Sequence, residues 1–288
     1  MLAYDVVDVF AESPFAGNQL AVVHGAGDLD DAAMLAITRE FDYSEVTFPT
    51  PLDEGRYAVR IWTVDGELPF AGHPTLGTAW VLRERGELVG EHVVQQCGAG
   101  DVAVRFAEDV VELTASARDL RGPLDDEVVA PLLAGIGLTP ADLAGEAWVA
   151  GTGLSFVHLP VLDEAVGRAR VSGRHVRDLA ELPATGDPLE GINLYAVSDD
   201  GSPLEVHSRV FVLATEDPAT GSAAAGLGMA LVARGLIGDG AAYRIRQGLE
   251  MGRPSLLLGS VDVLDGAATW VRVAGQVHPI ARGEIRVP

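Results

Sequence analysis

Two segments of this chain share one spacing. Gly72, Gly77, Arg85 and Gly86 recur as Gly221, Gly226, Arg234 and Gly235, each 149 residues further on. Both segments read as apolar helices, over 74–85 and 222–233, each stopped by glycine. Residues 223–233 carry no charge. A helix without a polar face must be buried on most sides, and a run this short does not cross a membrane. The chain must therefore wrap sheet around a helix, and do so twice. A fixed long offset reads as duplication. A strand with glutamine follows each helix, Gln95 and Gln96 in the first half and Gln247 in the second.

The rest of the sequence supplies that sheet. β-rich runs fall at 4–9, 20–23, 44–48, 57–64, 191–197, 204–213, 255–262 and 269–274. Further helices are expected over 30–39, with acids in its first turn, and over 125–136. The predicted architecture is α+β, with two pseudo-symmetric halves, each a curved, mostly antiparallel sheet around a central apolar helix. The expected halves are residues 1–118, completed by 276–288, and residues 119–275.

Composition removes several chemistries. The chain has 42 acidic and 20 basic residues, a formal net charge of −22. Nucleic acid and anionic membranes call for basic patches, so neither is an expected partner. Every basic residue is arginine, and no lysine occurs. That excludes a pyridoxal phosphate Schiff base, lysine-dependent aldol chemistry and the usual phosphate-loop lysine. The single Cys97 excludes an intramolecular disulfide and a pair of opposed catalytic thiols. Cys97 and the four tryptophans, Trp62, Trp80, Trp148 and Trp270, are expected in the core. The amino-terminal residues lack a signal-peptide pattern, and no apolar run has membrane-spanning length, so a cytoplasmic protein is expected.

The helix entrances are where chemistry is expected. One reads Phe70-Ala71-Gly72-His73-Pro74-Thr75, the other Asp217-Pro218-Ala219-Thr220-Gly221-Ser222. Uncapped amides and the positive dipole end make such entrances fit for a small anionic metabolite. His73 can act as an acid or base near neutral pH, and Asp217 can orient that histidine or a substrate amine. Glu45 opens a strand among Phe41, Val46 and Phe48, where burial would raise its pKa toward a working proton carrier. Each residue alone also has an ordinary role. Thr220 or Ser222 can be an N-cap, His73 a structural hydrogen bonder, Asp217 a turn residue and Glu45 an exposed strand position.

Taken together these motifs resemble the PhzF-like phenazine-biosynthesis isomerase family. The resemblance runs in order through Phe15-Ala16-Gly17-Asn18, Ser44-Glu45-Val46-Thr47-Phe48, the two helix entrances, and Gln247-Gly248-Leu249-Glu250-Met251-Gly252-Arg253-Pro254-Ser255. It implies a diaminopimelate-epimerase-like fold with the active site in the cleft between the halves. It implies an isomerase similar to trans-2,3-dihydro-3-hydroxyanthranilate isomerase, without a cofactor or metal, and a homodimer. The proton carrier falls on Glu45, and His73, Asp217, Gly72, Gly221 and Ser222 match the remaining site positions. Related epimerases carry cysteine at the two entrances, and those places fall on Ala71 and Asp217. The sequence departs from the family at Val46 and Ala224, where polar residues are common. The leading expectation is an allylic proton shift. The alternatives are α-carbon epimerisation, and a non-catalytic binding or scaffold protein of the same fold.

Overall fold

The computed structural model describes residues 1–170, 189–199, 201–212 and 215–288. The chain divides into two compact units, Met1–Leu113 with Ala274–Pro288, and Thr114–Val273. The first unit contains β1 (Leu2–Val9), β2 (Asn18–Val23), α1 (Asp31–Phe41), β3 (Glu45–Asp53), β4 (Arg56–Thr63) and β5 (Gly66–Leu68). These are followed by α2 (Gly72–Glu84), β6 (His92–Cys97) and β7 (Gly100–Ala107), and β8 (Val110–Ser116) carries the chain out. The second unit begins with β9 (Asp119–Arg121), α3 (Asp126–Gly135), β10 (Trp148–Gly151), β11 (Ser155–Pro160) and α4 (Asp163–Val166). It continues with β12 (Leu189–Asp199), β13 (Leu204–Val212), β14 (Thr215–Asp217), α5 (Gly221–Ala233), β15 (Ala242–Gln247), β16 (Ser255–Leu264) and β17 (Ala267–Gly275). β18 (Val277–Ile285) returns to the first unit and pairs with β1. The fold is α+β, with strand far in excess of helix.

The two units repeat one pairing scheme. In the first, β1–β2 is antiparallel, β2–β3 parallel, β3–β4 and β4–β5 antiparallel, β4–β6 parallel and β6–β7 antiparallel. In the second, β10–β11 is antiparallel, β11–β12 parallel, β12–β13 and β13–β14 antiparallel, β13–β15 parallel and β15–β16 antiparallel. Register repeats as well. Ile61 faces Leu68 and Thr63 faces Gly66, while Val210 faces Asp217 and Val212 faces Thr215, again 149 residues on. The expected strand over 204–213 is β13, and position 213 lies outside the described residues.

Both repeat helices are 13 residues long and sit against their sheets, and most of their side chains are buried. Glycine permits the close approach. A Cβ on Gly77 would lie 2.6 Å from Leu20 Cδ2, and one on Gly226 2.6 Å from the Ala150 carbonyl. Both are nearer than van der Waals contact allows, so these positions set how deep the helix seats. On the first unit α1 is fixed by its Asp30 cap, which accepts from the Ala33 N–H, and it buries Met34 and Ile37. On the second, Leu132 and Leu133 of α3 join Val157, Leu194 and Phe211 in a separate apolar cluster. Of the residues expected inside, Trp62 is buried and Trp80 and Trp148 are half-buried. Cys97 is half-buried at a hairpin end, where its thiol meets the Gly100 carbonyl, and Trp270 is 49% exposed on β17. Among the described residues no helix is long and apolar enough to cross a membrane.

Candidate active site

In the first unit three element starts bring Asn18, Glu45 and His73 together. Glu45 is the first residue of β3 and faces Leu20 across the parallel pair with β2, which itself starts at Asn18. His73 is the second residue of α2. Its Nε2 lies 3.4 Å from Glu45 Oε2, with the imidazole 6% and the carboxylate side chain 16% exposed. Asn18 Nδ2 lies 3.3 Å from His73 Nδ1. In the tautomer where that amide donates to Nδ1, the ring proton is on Nε2, the nitrogen that faces Glu45; in the other tautomer Nδ1 is the donor. Burial pushes the His73 pKa down to about 3, so the ring is neutral at physiological pH. The Glu45–His73 contact is therefore one between a carboxyl group and a neutral imidazole, not an ion pair.

Helix α2 is anchored beneath this cluster. Thr47 and Thr78 share a 2.8 Å hydroxyl contact between β3 and the helix, and Gln95 Nε2 donates to Thr75 Oγ1 at 2.8 Å. Thr75 in turn donates to the Ala71 carbonyl. No side chain caps the helix entrance at Ala71, which leaves the amides at Gly72 and His73 directed out of the helix end.

The second unit fastens its own entrance differently. Thr220 is the N-cap of α5, yet its hydroxyl does not cap the helix; it donates to Asp217 Oδ2 at 2.5 Å. Gln247 holds the same loop. Its Nε2 donates to the Asp217 carbonyl at 2.8 Å and to Thr220 Oγ1 at 3.0 Å, and its Oε1 accepts from the Thr220 N–H at 3.3 Å. Ser255 Oγ donates to the Pro218 carbonyl. Gly221 and Ser222 are the first two residues of α5, both half-buried.

Of the residues chosen from sequence, Glu45, Gly72 and His73 thus gather in one unit, and Asp217, Gly221 and Ser222 in the other. One assignment needs correction. The entrance positions were expected at Ala71 and Asp217, but the N-caps are Ala71 and Thr220. Equal three-residue connectors, Pro69 to Ala71 and Pro218 to Thr220, make Thr220 the counterpart of Ala71, and place Asp217 opposite Leu68 at a strand end. Sequence reasoning passed over Asn18 and the Gln247–Thr220–Asp217 chain. The turn residues Gly17-Asn18 before β2 signalled the first, whereas the second links residues 30 apart and leaves no local pattern.

Comparison with known proteins agrees with this architecture. A hydroxyproline epimerase from Agrobacterium vitis shares the fold, with a TM-score of 0.64 at 14% identity over 99% of this chain and 90% of that one. A predicted epimerase from Pseudomonas aeruginosa is closer in sequence, 35% identical, with a TM-score of 0.81 over 99% of each chain. An uncharacterized isomerase of Mesorhizobium japonicum is 35% identical over 309 residues and 98% of both chains. The trans-2,3-dihydro-3-hydroxyanthranilate isomerase of Pseudomonas fluorescens is 32% identical over 296 residues, again 98% of both. The protein is an isomerase with an epimerase-like α+β fold. The family model for phenazine biosynthesis-like proteins matches residues 7–283, and the chain belongs to that PhzF family.

Proposed function

We propose that this isomerase moves a proton along an allylic system in a small cyclic carboxylate, chemically similar to trans-2,3-dihydro-3-hydroxyanthranilate, and needs no cofactor. The observation that carries the reading is Glu45 Oε2 at 3.4 Å from the buried, neutral His73. A carboxylate is the base that takes the proton from carbon and returns it further along the conjugated system. A neutral imidazole with its proton on Nε2 can donate to Glu45 or to a substrate oxygen as charge develops, without adding a competing cation. The uncapped amides at Gly72 and His73 take the substrate carboxylate. Asp217, held by Thr220 and Gln247 as a hydrogen-bond acceptor, receives an amino or hydroxyl group. In this reading the protein works as a cytoplasmic homodimer.

One observation favours the shift over two-base epimerisation. The second unit's position corresponding to Glu45 is Gly191, because Val46 pairs with Trp62 as Ile192 pairs with Phe211, and Trp62 and Phe211 stand 149 residues apart. The strand position that carries Glu45 in the first unit therefore has no carboxylate in the second.

Glu45→Gln keeps shape and hydrogen bonding but cannot shuttle a proton. Its turnover of trans-2,3-dihydro-3-hydroxyanthranilate should fall by roughly 10²–10⁴-fold, with binding retained. Incorporation of solvent deuterium should fall in parallel. Near-normal turnover in this variant would remove Glu45 from the chemistry.

A further inference from the structure

Phe15 stands out in the loop that leads into Asn18. Its φ is +67°, in the left-handed region that bulky side chains avoid. It is 74% exposed, the largest exposure among the big apolar residues described. The other strained positions have local reasons. Asp42 ends α1, Glu108 and Asp265 sit in tight strand connections, and Phe10, also left-handed, is buried against Gly275. Phe15 gains no such burial, yet its conformation is enforced. Its N–H donates to Oδ2 of Asp8, a fully buried carboxylate, at 2.8 Å. Two residues on, Gly17 closes the turn so tightly that a Cβ there would lie 2.3 Å from the Val9 carbonyl. The loop thus holds an aromatic ring out in solvent, against both strain and hydration. Phe15 is three residues from Asn18, a reach of at most about 11 Å along the chain, and Asn18 touches His73.

From this we infer that Phe15 is a specificity-determining residue whose ring packs on the apolar face of a flat, cyclic carboxylate bound at Glu45 and His73. The inference rests on the proposed reading of that pair as the substrate site. An aromatic face selects planar rings by area and by its quadrupole, and leaves the proton transfer untouched. Its mark is on affinity, not on the chemical step.

The test measures calorimetric affinity for 3-hydroxyanthranilate, the aromatic form of the cyclic acid, and thermal unfolding, in wild type, Phe15→Gly, Phe15→Tyr and Glu45→Gln. Phe15→Gly should bind roughly tenfold more weakly, the scale of losing one well-packed ring. Its Tm should be unchanged or higher, since glycine relieves the left-handed strain. Phe15→Tyr should bind close to wild type, and Glu45→Gln should bind while losing turnover. Unchanged affinity in Phe15→Gly overturns the inference and leaves the site reading standing. A lowered Tm together with lost affinity makes the ring a structural prop and overturns it too. A wild-type protein that binds no ring acid overturns the site reading and this inference with it.

Discussion

The two units use one scaffold for different ends. Their strands pair in the same order and sense, their buried helices have the same length, and the hairpin before each helix keeps the same register. Even a side-chain cluster is repeated. Arg60 grips Glu67 with two nitrogens and lies over Trp62, and Arg209 grips Glu216 and lies over Phe211, each position shifted by 149. The candidate chemistry is not repeated. Glu45, His73 and Ala71 in the first unit stand where the second has Gly191, Ser222 and Thr220. The backbone that presents an entrance is therefore shared, while the groups that fill it have diverged, one unit toward a carboxylate–imidazole contact and the other toward a fixed hydrogen-bonding chain. Burial has diverged too, and it offers the sharpest way to test the comparison.

Arg209 is 6% exposed and also donates to the Val166 and Ala169 carbonyls, tying the end of α4 to β13. Arg60 is 36% exposed and pairs with Glu67 and Asp31. Removing one partner of a buried pair leaves the other charge and the carbonyls unmet, so Arg209→Ala should cost about 3–5 kcal/mol. The exposed copy is screened by water, and Arg60→Ala should cost about 0–1 kcal/mol. Urea unfolding of both variants checks the ratio. Equal costs would show that the repeat is energetically as well as geometrically symmetric.

The next effect concerns why the second unit lacks a carboxylate opposite Glu45. A Cβ on Gly191 would lie 2.1 Å from the Phe211 carbonyl oxygen. That atom is backbone in a paired strand, so it cannot swing aside. Gly191→Ala should destabilise by about 2–3 kcal/mol, the scale of overpacking, measured as a shift in the urea midpoint with an unchanged slope. A neutral Gly191→Ala would mean that packing does not forbid a side chain there, and the difference from Glu45 would need another cause.

Much of this repeat was legible in the sequence because helix signals are dense. Gly at the entrance, an apolar run and Arg-Gly at the exit fixed α2 and α5 to within two residues. Glu45 and His73 were legible as candidates because a carboxylate or imidazole at an element start is unusual in an apolar setting, and Asp217 because it precedes Pro218 at the second helix entrance. Three-residue strands were not: β5, β9 and β14 hold too few residues for alternation to register. Nor was Thr220's role, since its sequence context is that of a cap and only the placement of Gln247 turns its hydroxyl to Asp217. The strain at Phe15 was equally hidden, because a φ angle leaves no trace in residue type unless the residue is glycine or asparagine.

The smallest effect separates the units by pH. Among the described residues each contains one fully buried imidazole that desolvation keeps neutral, at different places, and in the first unit desolvation also lowers the half-buried His24. His73 stands at the first unit's helix entrance, with its pKa lowered to about 3. His158 lies beneath α5, between the Ala150 carbonyl and Asn193, and is lowered to about 4. In the unfolded chain both titrate near 6.5. Above that pH neither state binds the proton and neither histidine affects stability. As pH falls below about 6.5 the unfolded chain takes up the proton while the folded one does not, so stability is lost until the folded value is reached. Each histidine then removes up to about 1.4 kcal/mol per pH unit, or about 2 kcal/mol between pH 6.5 and 5. His73→Gln should abolish its share, leaving a shallower acid limb carried by His158, His24 and the carboxylates. Urea unfolding at pH 7, 6 and 5 reads the slope directly. An unchanged slope would mean that His73 is protonated in the native state, which would make its 3.4 Å contact with Glu45 an ion pair. The first unit's entrance would then hold a cation, where Thr220 and Gln247, both neutral, hold the loop at Asp217 in the second.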